Sequence, residues 1–218
     1  MEMDMVDLIG VDTQNAYELL KDQINTLVLK PGAAVNEAEL CAALGVGSVP
    51  VREALKLLFH DQLIVVSRQG GIYVADLNPK DLAMLSEVRV GLESQAAGLA
   101  ASRATADHLL VMDALIQEQE KIKVGDTTAW FDLDHKLHQA IAKASGNHYL
   151  AHSLETYFGL SQRLWYLVLP KLDFLSYAVE EHTQLVESIR AGDRPQAETK
   201  MRDHVLGFYK KVQNLIED

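Results

Sequence analysis

The chain has 218 residues, 48% hydrophobic and 23% charged, an ordinary globular balance with room for one large domain or two small ones. No apolar run approaches the roughly 18 residues of a membrane span. The acidic start MEMDMVDLIG is unlike a secretory signal, and one cysteine, Cys41, excludes an internal disulfide and suits a reducing cytoplasm. The net charge of −11, with five Lys/Arg against eleven Asp/Glu in residues 1–76, weighs against a broadly basic nucleic-acid binder.

Thr13 is placed to cap a first helix over 13–28, where Tyr17, Leu20, Ile24 and Leu27 recur at helical spacing before Pro31-Gly32. Asn36 followed by Glu39 has the pattern of a capping box for a short helix that ends near Leu44, with Gly45 as its stop. After a tight turn a second short helix runs from about Pro50 to His60, which makes a helix-turn-helix. Ile64-Val65-Val66 and Ile72-Tyr73-Val74 are β-prone runs joined by Ser67-Arg68-Gln69-Gly70-Gly71, a hairpin with a glycine-rich tip that adds a wing. Asn78-Pro79 then opens a stretch without strands, Asn as cap and Pro at the first helical position. Six helices are expected there, over 79–103, 106–124, 127–145, 147–168, 171–191 and 194–216. The predicted fold is mainly α: an N-terminal winged helix-turn-helix domain over 1–77 and a C-terminal all-helical bundle over 78–218.

The second helix of a helix-turn-helix enters the major groove with its N-terminal residues at base edges. Those residues here are Ser48, Val49, Val51 and Arg52, with Lys56 one turn on; Arg52 suits a phosphate or a guanine edge, and Val49 a thymine methyl. Arg68, Gln69 and Gly70 at the wing tip are placed to reach the backbone or the minor groove. On these residues alone a protein-docking module stays open. Pro31-Gly32, Glu37, Leu40 and above all Gly45-Val46 followed by Pro50-Val51-Arg52-Glu53-Ala54-Leu55 resemble, in that order, the head of the GntR family of bacterial transcription regulators. Ile72-Tyr73-Val74 resembles that family's wing strand, so the resemblance covers most of 12–76 and implies binding to double-stranded DNA. Two positions depart from it: Ser48 and Ala38 stand where relatives usually carry base-contacting arginines. Val49 also replaces a hydroxyl residue, which leaves Ser48 as the expected helix cap. These departures imply an unusual operator, weaker binding, or a head that has lost DNA binding.

In the tail, Asp134 and His138 are four apart and share a face with Phe131, Ile141 and Ala142. His182 shares one with Leu185, Val186 and Ile189, and His204 one with Met201, Val205 and Phe208. Inward ionisable groups are costly unless paired or bound to a cation. One carboxylate and three imidazoles suit Zn²⁺, Ni²⁺ or Mn²⁺ with positions left open, hydrogen-bonded core histidines being the plain alternative. Glu87-x-Arg89, Leu92-Glu93, Asp134-x-x-x-His138 with Gly146-Asn147, His182 and His204 resemble the C-terminal domain of the FadR-like branch (the FCD domain) over about 79–210, with Leu137 where Phe is common. That resemblance implies a divalent metal held by Asp134, His138, His182 and His204 at the floor of a cavity; six tail helices rather than seven resemble the VanR-type subgroup. It also implies that Arg89 faces the cavity, where its fork suits the carboxylate of a small organic acid effector; an Arg89–Glu93 surface pair is the alternative. Gln162 and Arg163 are further candidate effector contacts. The expected protein is a cytoplasmic homodimer that reads a palindromic operator and is not an enzyme. A dimer with a decayed head and a metal-dependent enzyme acting on a small acid are the competing readings.

Overall fold

Helix α1 (Met5–Asn25) buries Ala16, Leu20 and Ile24, one residue per turn along a single stripe. This stripe meets α3 (Ser48–His60), whose Val51, Ala54, Leu55 and Leu58 sit at i, i+3, i+4 and i+7 and are all buried. The chain divides into two compact units, Met1–Asn78 and Pro79–Asp218; the computed structural model describes residues 5–78, 80–123, 125–168 and 175–217. Helix α1 starts eight residues before the expected position, so Thr13 lies inside it and does not cap it. It stops at Asn25 rather than 28, because Leu27 turns into the left-handed region with φ 60°.

Between them α2 (Glu37–Leu44) is capped by Asn36, whose Oδ1 accepts from Ala38 N at 2.9 Å and Glu39 N at 3.4 Å. The Glu39 carboxylate accepts from the Asn36 side-chain amide at 3.1 Å. Gly45 closes α2 with φ 66°. Helix α3 begins at Ser48, two residues earlier than expected, with Gly47 at the cap position. Ser48 is therefore the first helical residue and makes no cap, correcting that expectation; Pro50 sits in the first turn, where its missing N–H is not needed.

Strand β1 (Ala34–Val35), β2 (Ile64–Val66) and β3 (Ile72–Val74) form an antiparallel sheet in the order β1-β3-β2. Val66 pairs with Ile72 and Ile64 with Val74, while β1 adds Val35 opposite Ile72. The wing closes through Ser67 N donating to Gly71 O at 2.8 Å, with Gly70 at φ 85°. Strand β1 was not expected: two residues are too short to show an alternating pattern.

The tail consists, among its described residues, of α4 (Asp81–Arg103), α5 (Ala106–Gln119), α6 (Thr127–Ala144), α7 (His148–Val168), α8 (Leu175–Arg190) and α9 (Arg194–Glu217). Pro79 and residues 171–174, expected to begin the first and fifth tail helices, lie outside the described residues. Helix α5 ends five residues early, where the chain tightens through Lys121 N to Glu118 O and Ile122 N to Gln119 O. Helix α4 is central: α6, α7, α8 and α9 all pack on it. Its buried Ala96, Ala97, Gly98 and Ala100 let neighbouring backbones approach, and a Cβ at Gly98 would land on the Glu198 side chain of α9. No helix among the described residues is long and apolar enough to cross a membrane.

Candidate metal centre and nucleic-acid interface

Helix α6 presents Asp134 and His138 one turn apart, α8 presents His182, and α9 presents His204; all four are less than a tenth exposed. One ligating atom from each falls within 4.8 Å of all the others. His204 Nε2 lies 3.3 Å from His138 Nε2 and 3.2 Å from His182 Nε2. Asp134 Oδ1 is 3.2 Å from His182 Nε2, 3.8 Å from His204 Nε2 and 3.9 Å from His138 Nε2. The helical spacing read from sequence thus converges in space.

Each histidine is held from behind. His138 Nδ1 meets Glu93 Oε2 of α4, His182 Nδ1 meets Gln119 Oε1 of α5 at 2.9 Å, and His204 Nδ1 meets Glu181 Oε2 of α8 at 2.8 Å. All three partners accept, so the protons belong on Nδ1 and the Nε2 lone pairs face one another and Asp134 Oδ1. Four acceptors crowded in a dry interior repel unless a proton or a cation lies between them. The Asp134 oxygen is moreover buried without a hydrogen-bond donor among the described side chains, so the donor set fits a divalent ion.

The electrostatics agree. Burial disfavours charge on Asp134, yet the three imidazoles hold its carboxyl far below the usual range. Glu93 is likewise pulled down to about 2: burial opposes ionisation, but Arg89 and His138 overcome it. His138 is raised, burial being outweighed by Glu93 and Asp134, whereas burial and the charge of His204 push His182 down to about 4. Asp134 and Glu93 thus stay ionised while His182 stays neutral, the protonation states in which a carboxylate and an imidazole bind a cation.

Gln119 and Glu181 were not singled out from sequence, and Glu93 was named there as a motif residue and a surface partner of Arg89 but not as the partner of His138. Glu93 offered a usable signal: an acid three and four residues before Ala96 and Ala97, on the buried face of α4. Glu181 gave none, since it reaches from α8 across to α9.

The expected effector contacts need correction. Arg89 is 3% exposed; its guanidinium pairs with Glu93 Oε1, donates to Tyr209 Oη at 3.4 Å, and is ringed by Phe158, Trp165 and Tyr209. Glu93 and Tyr209 engage the two Nη groups while Nε is buried without a partner among the described residues, and the Arg89–Glu93 pair is a buried one rather than the surface pair weighed as the alternative. Arg163 is buried on α7 and Gln162 beside it is half-buried. A small crevice reaches His204 from outside, lined by Trp130, Glu181, Phe208 and Lys211.

In the head, Ser48, Val49, Arg52 and Lys56 are exposed along one side of α3, and Arg68, Gln69 and Gly70 are exposed at the wing tip. Val51 is 0% exposed and packs into the head core, so its side chain reaches no base. Arg52 Nε donates to Glu37 Oε1 at 2.8 Å, and Lys56 Nζ to Glu53 Oε1 at 2.7 Å. Cys41 is half-buried.

Residues 84–207 match the FCD domain family, and residues 12–74 match the family of bacterial regulatory proteins called gntR. The chain is 29% identical over 205 residues to an uncharacterised HTH-type transcriptional regulator in an unstable DNA locus of Streptomyces ambofaciens, a match spanning 93% of this chain and 85% of the relative. It is 26% identical over 206 residues to the HTH-type transcriptional repressor GlaR of Escherichia coli K12, spanning 90% of this chain and 93% of GlaR. Among solved structures, E. coli McbR/YncC shares the fold with a TM-score of 0.79 at 23% identity, covering 92% of this chain and 96% of that one. The chain therefore belongs to the gntR family of bacterial regulatory proteins, as a transcriptional regulator that joins a DNA-binding winged head to an FCD domain.

Proposed function

We propose that this regulator holds a divalent cation on Asp134, His138, His182 and His204 and that a small organic acid, met by that cation, alters its grip on a palindromic operator as a homodimer. The carrying observation is the cluster of three inward Nε2 atoms around one carboxylate oxygen, each histidine tied at Nδ1 by its own acceptor. Zn²⁺, Ni²⁺ and Mn²⁺ all suit imidazole with carboxylate. The cation would supply an electrophilic anchor for an acid, a role for which Arg89 is already spent, and Lys211 at the crevice beside His204 adds a positive charge on that approach. In the head, Ser48, Val49, Arg52 and Lys56 would face the major groove while Arg68, Gln69 and Gly70 meet the backbone or the minor groove. The six described tail helices favour the VanR-type subgroup.

The test has two arms. Protein dialysed against Zn²⁺, Ni²⁺ or Mn²⁺ and then against buffer should retain one cation per chain, and His182→Ala should lose it. Fragmented genomic DNA selected on the protein, with and without that cation, should enrich one short palindrome. A wild-type chain that retains no cation would end the metal part, and no enriched fragment at any salt concentration would end the operator part.

A further inference from the structure

We propose that Glu93, clamped by Arg89, is the positioning residue that sets how tightly, and with what geometry, the tail centre holds its cation; this rests on the metal reading above. Both carboxylate oxygens of Glu93 are committed, Oε1 to Arg89 Nη2 and Oε2 to His138 Nδ1, so the carboxylate cannot rotate without releasing one of them. Arg89 is fixed in turn. Its guanidinium carbon lies 4.8 Å from the Trp165 ring centre, 5.0 Å from that of Phe158 and 5.7 Å from that of Tyr209. The Tyr209 hydroxyl to which it donates is itself 2.9 Å from Ser161 Oγ. The chain of contacts therefore runs from a caged guanidinium through one carboxylate to one imidazole.

The three histidines are not held alike. Gln119, behind His182, is a buried neutral amide; Glu181, behind His204, is a carboxylate near half exposure; Glu93 alone is both anionic and dry. An anionic acceptor on Nδ1–H enriches Nε2 in electron density and fixes the ring plane, and water does not screen this one. A buried ion pair gains little net stability over apolar side chains of the same volume. Stability therefore gives Arg89 and Glu93 no reason to stand where alanines and aromatics surround them, whereas orienting His138 does.

The test uses the full-length chain with Co²⁺ as probe, because its visible spectrum reports ligand geometry. Dissociation constants come from competition with a chromogenic chelator, and melting in EDTA checks that each variant folds. Glu93→Gln should weaken Co²⁺ by roughly 10–100-fold and shift its ligand-field bands, while Glu93→Asp restores part of the affinity. Should Glu93→Gln fail to fold, Arg89→Lys, which keeps the charge and loses the fork, should show the same band shift with a smaller loss. Wild-type affinity and bands in the folded variant overturn the inference. A wild-type chain that takes up no Co²⁺ instead overturns the metal reading beneath it.

Discussion

Arg52, the recognition-helix cation nearest the start of α3, is already engaged: its Nε donates to Glu37 Oε1 at 2.8 Å, with both side chains in contact with water. An exposed pair of this kind contributes at most about 1 kcal/mol, so a phosphate or a guanine edge can displace Glu37, but must compete to do so. Glu37→Gln should raise affinity for duplex DNA at low salt by up to roughly five-fold, the equivalent of that upper value. Fluorescence anisotropy across a salt series measures this; a drop in affinity would mean that Glu37 aims Arg52 instead of competing for it. Asp134 and His138 were legible because four residues make one helical turn, and His182 and His204 because their neighbours on the same face are apolar. Arg89 was misplaced because its alternatives differ only in tertiary packing: the aromatic rings that bury it come from α7 and α9, more than sixty residues away. Val51 and Val49 are two apart and so lie on opposite sides of α3; the first faces the head core and the second is 53% exposed.

Among the elements, the turn between α2 and α3 carries a distinct requirement. Gly45 sits at φ 66° with open space where a Cβ would go, so the strain of any other residue there is purely that of the backbone. Gly45→Ala should lower the head's stability by roughly 1–2 kcal/mol, read as an earlier midpoint in denaturant; an unchanged midpoint would show that the turn relaxes to another conformation. Asn36 at the other end of α2 accepts from two backbone N–H groups, and Asn36→Ala should cost about 1 kcal/mol in the same assay. Helix existence was legible throughout because apolar stripes and glycine stops are local signals. Boundaries were less so. Thr13 has the chemistry of a cap but lies inside α1, and α3 gains Ser48 and Val49 ahead of Pro50 because Gly47 turns the chain into it.

For the whole molecule, two units with separate cores imply that a cation held only by the tail stabilises only the tail. Free metal at a hundred times its dissociation constant should add about 2.7 kcal/mol to tail unfolding and leave the head transition where it was. Calorimetry with and without EDTA checks this; both transitions moving together would mean that the units unfold as one.

Both of the chain's tryptophans, Trp130 and Trp165, lie in the tail. The indole of Trp130 is stacked on the His182 ring, with centroids 5.9 Å apart and planes 13° from parallel. The protein thus carries a native optical label. Light absorbed by its indoles is re-emitted from the tail alone, and one emitter rests against an imidazole whose electrons a cation would draw away. Emission intensity followed during a metal titration would report occupancy in the intact regulator bound to DNA, without an added dye.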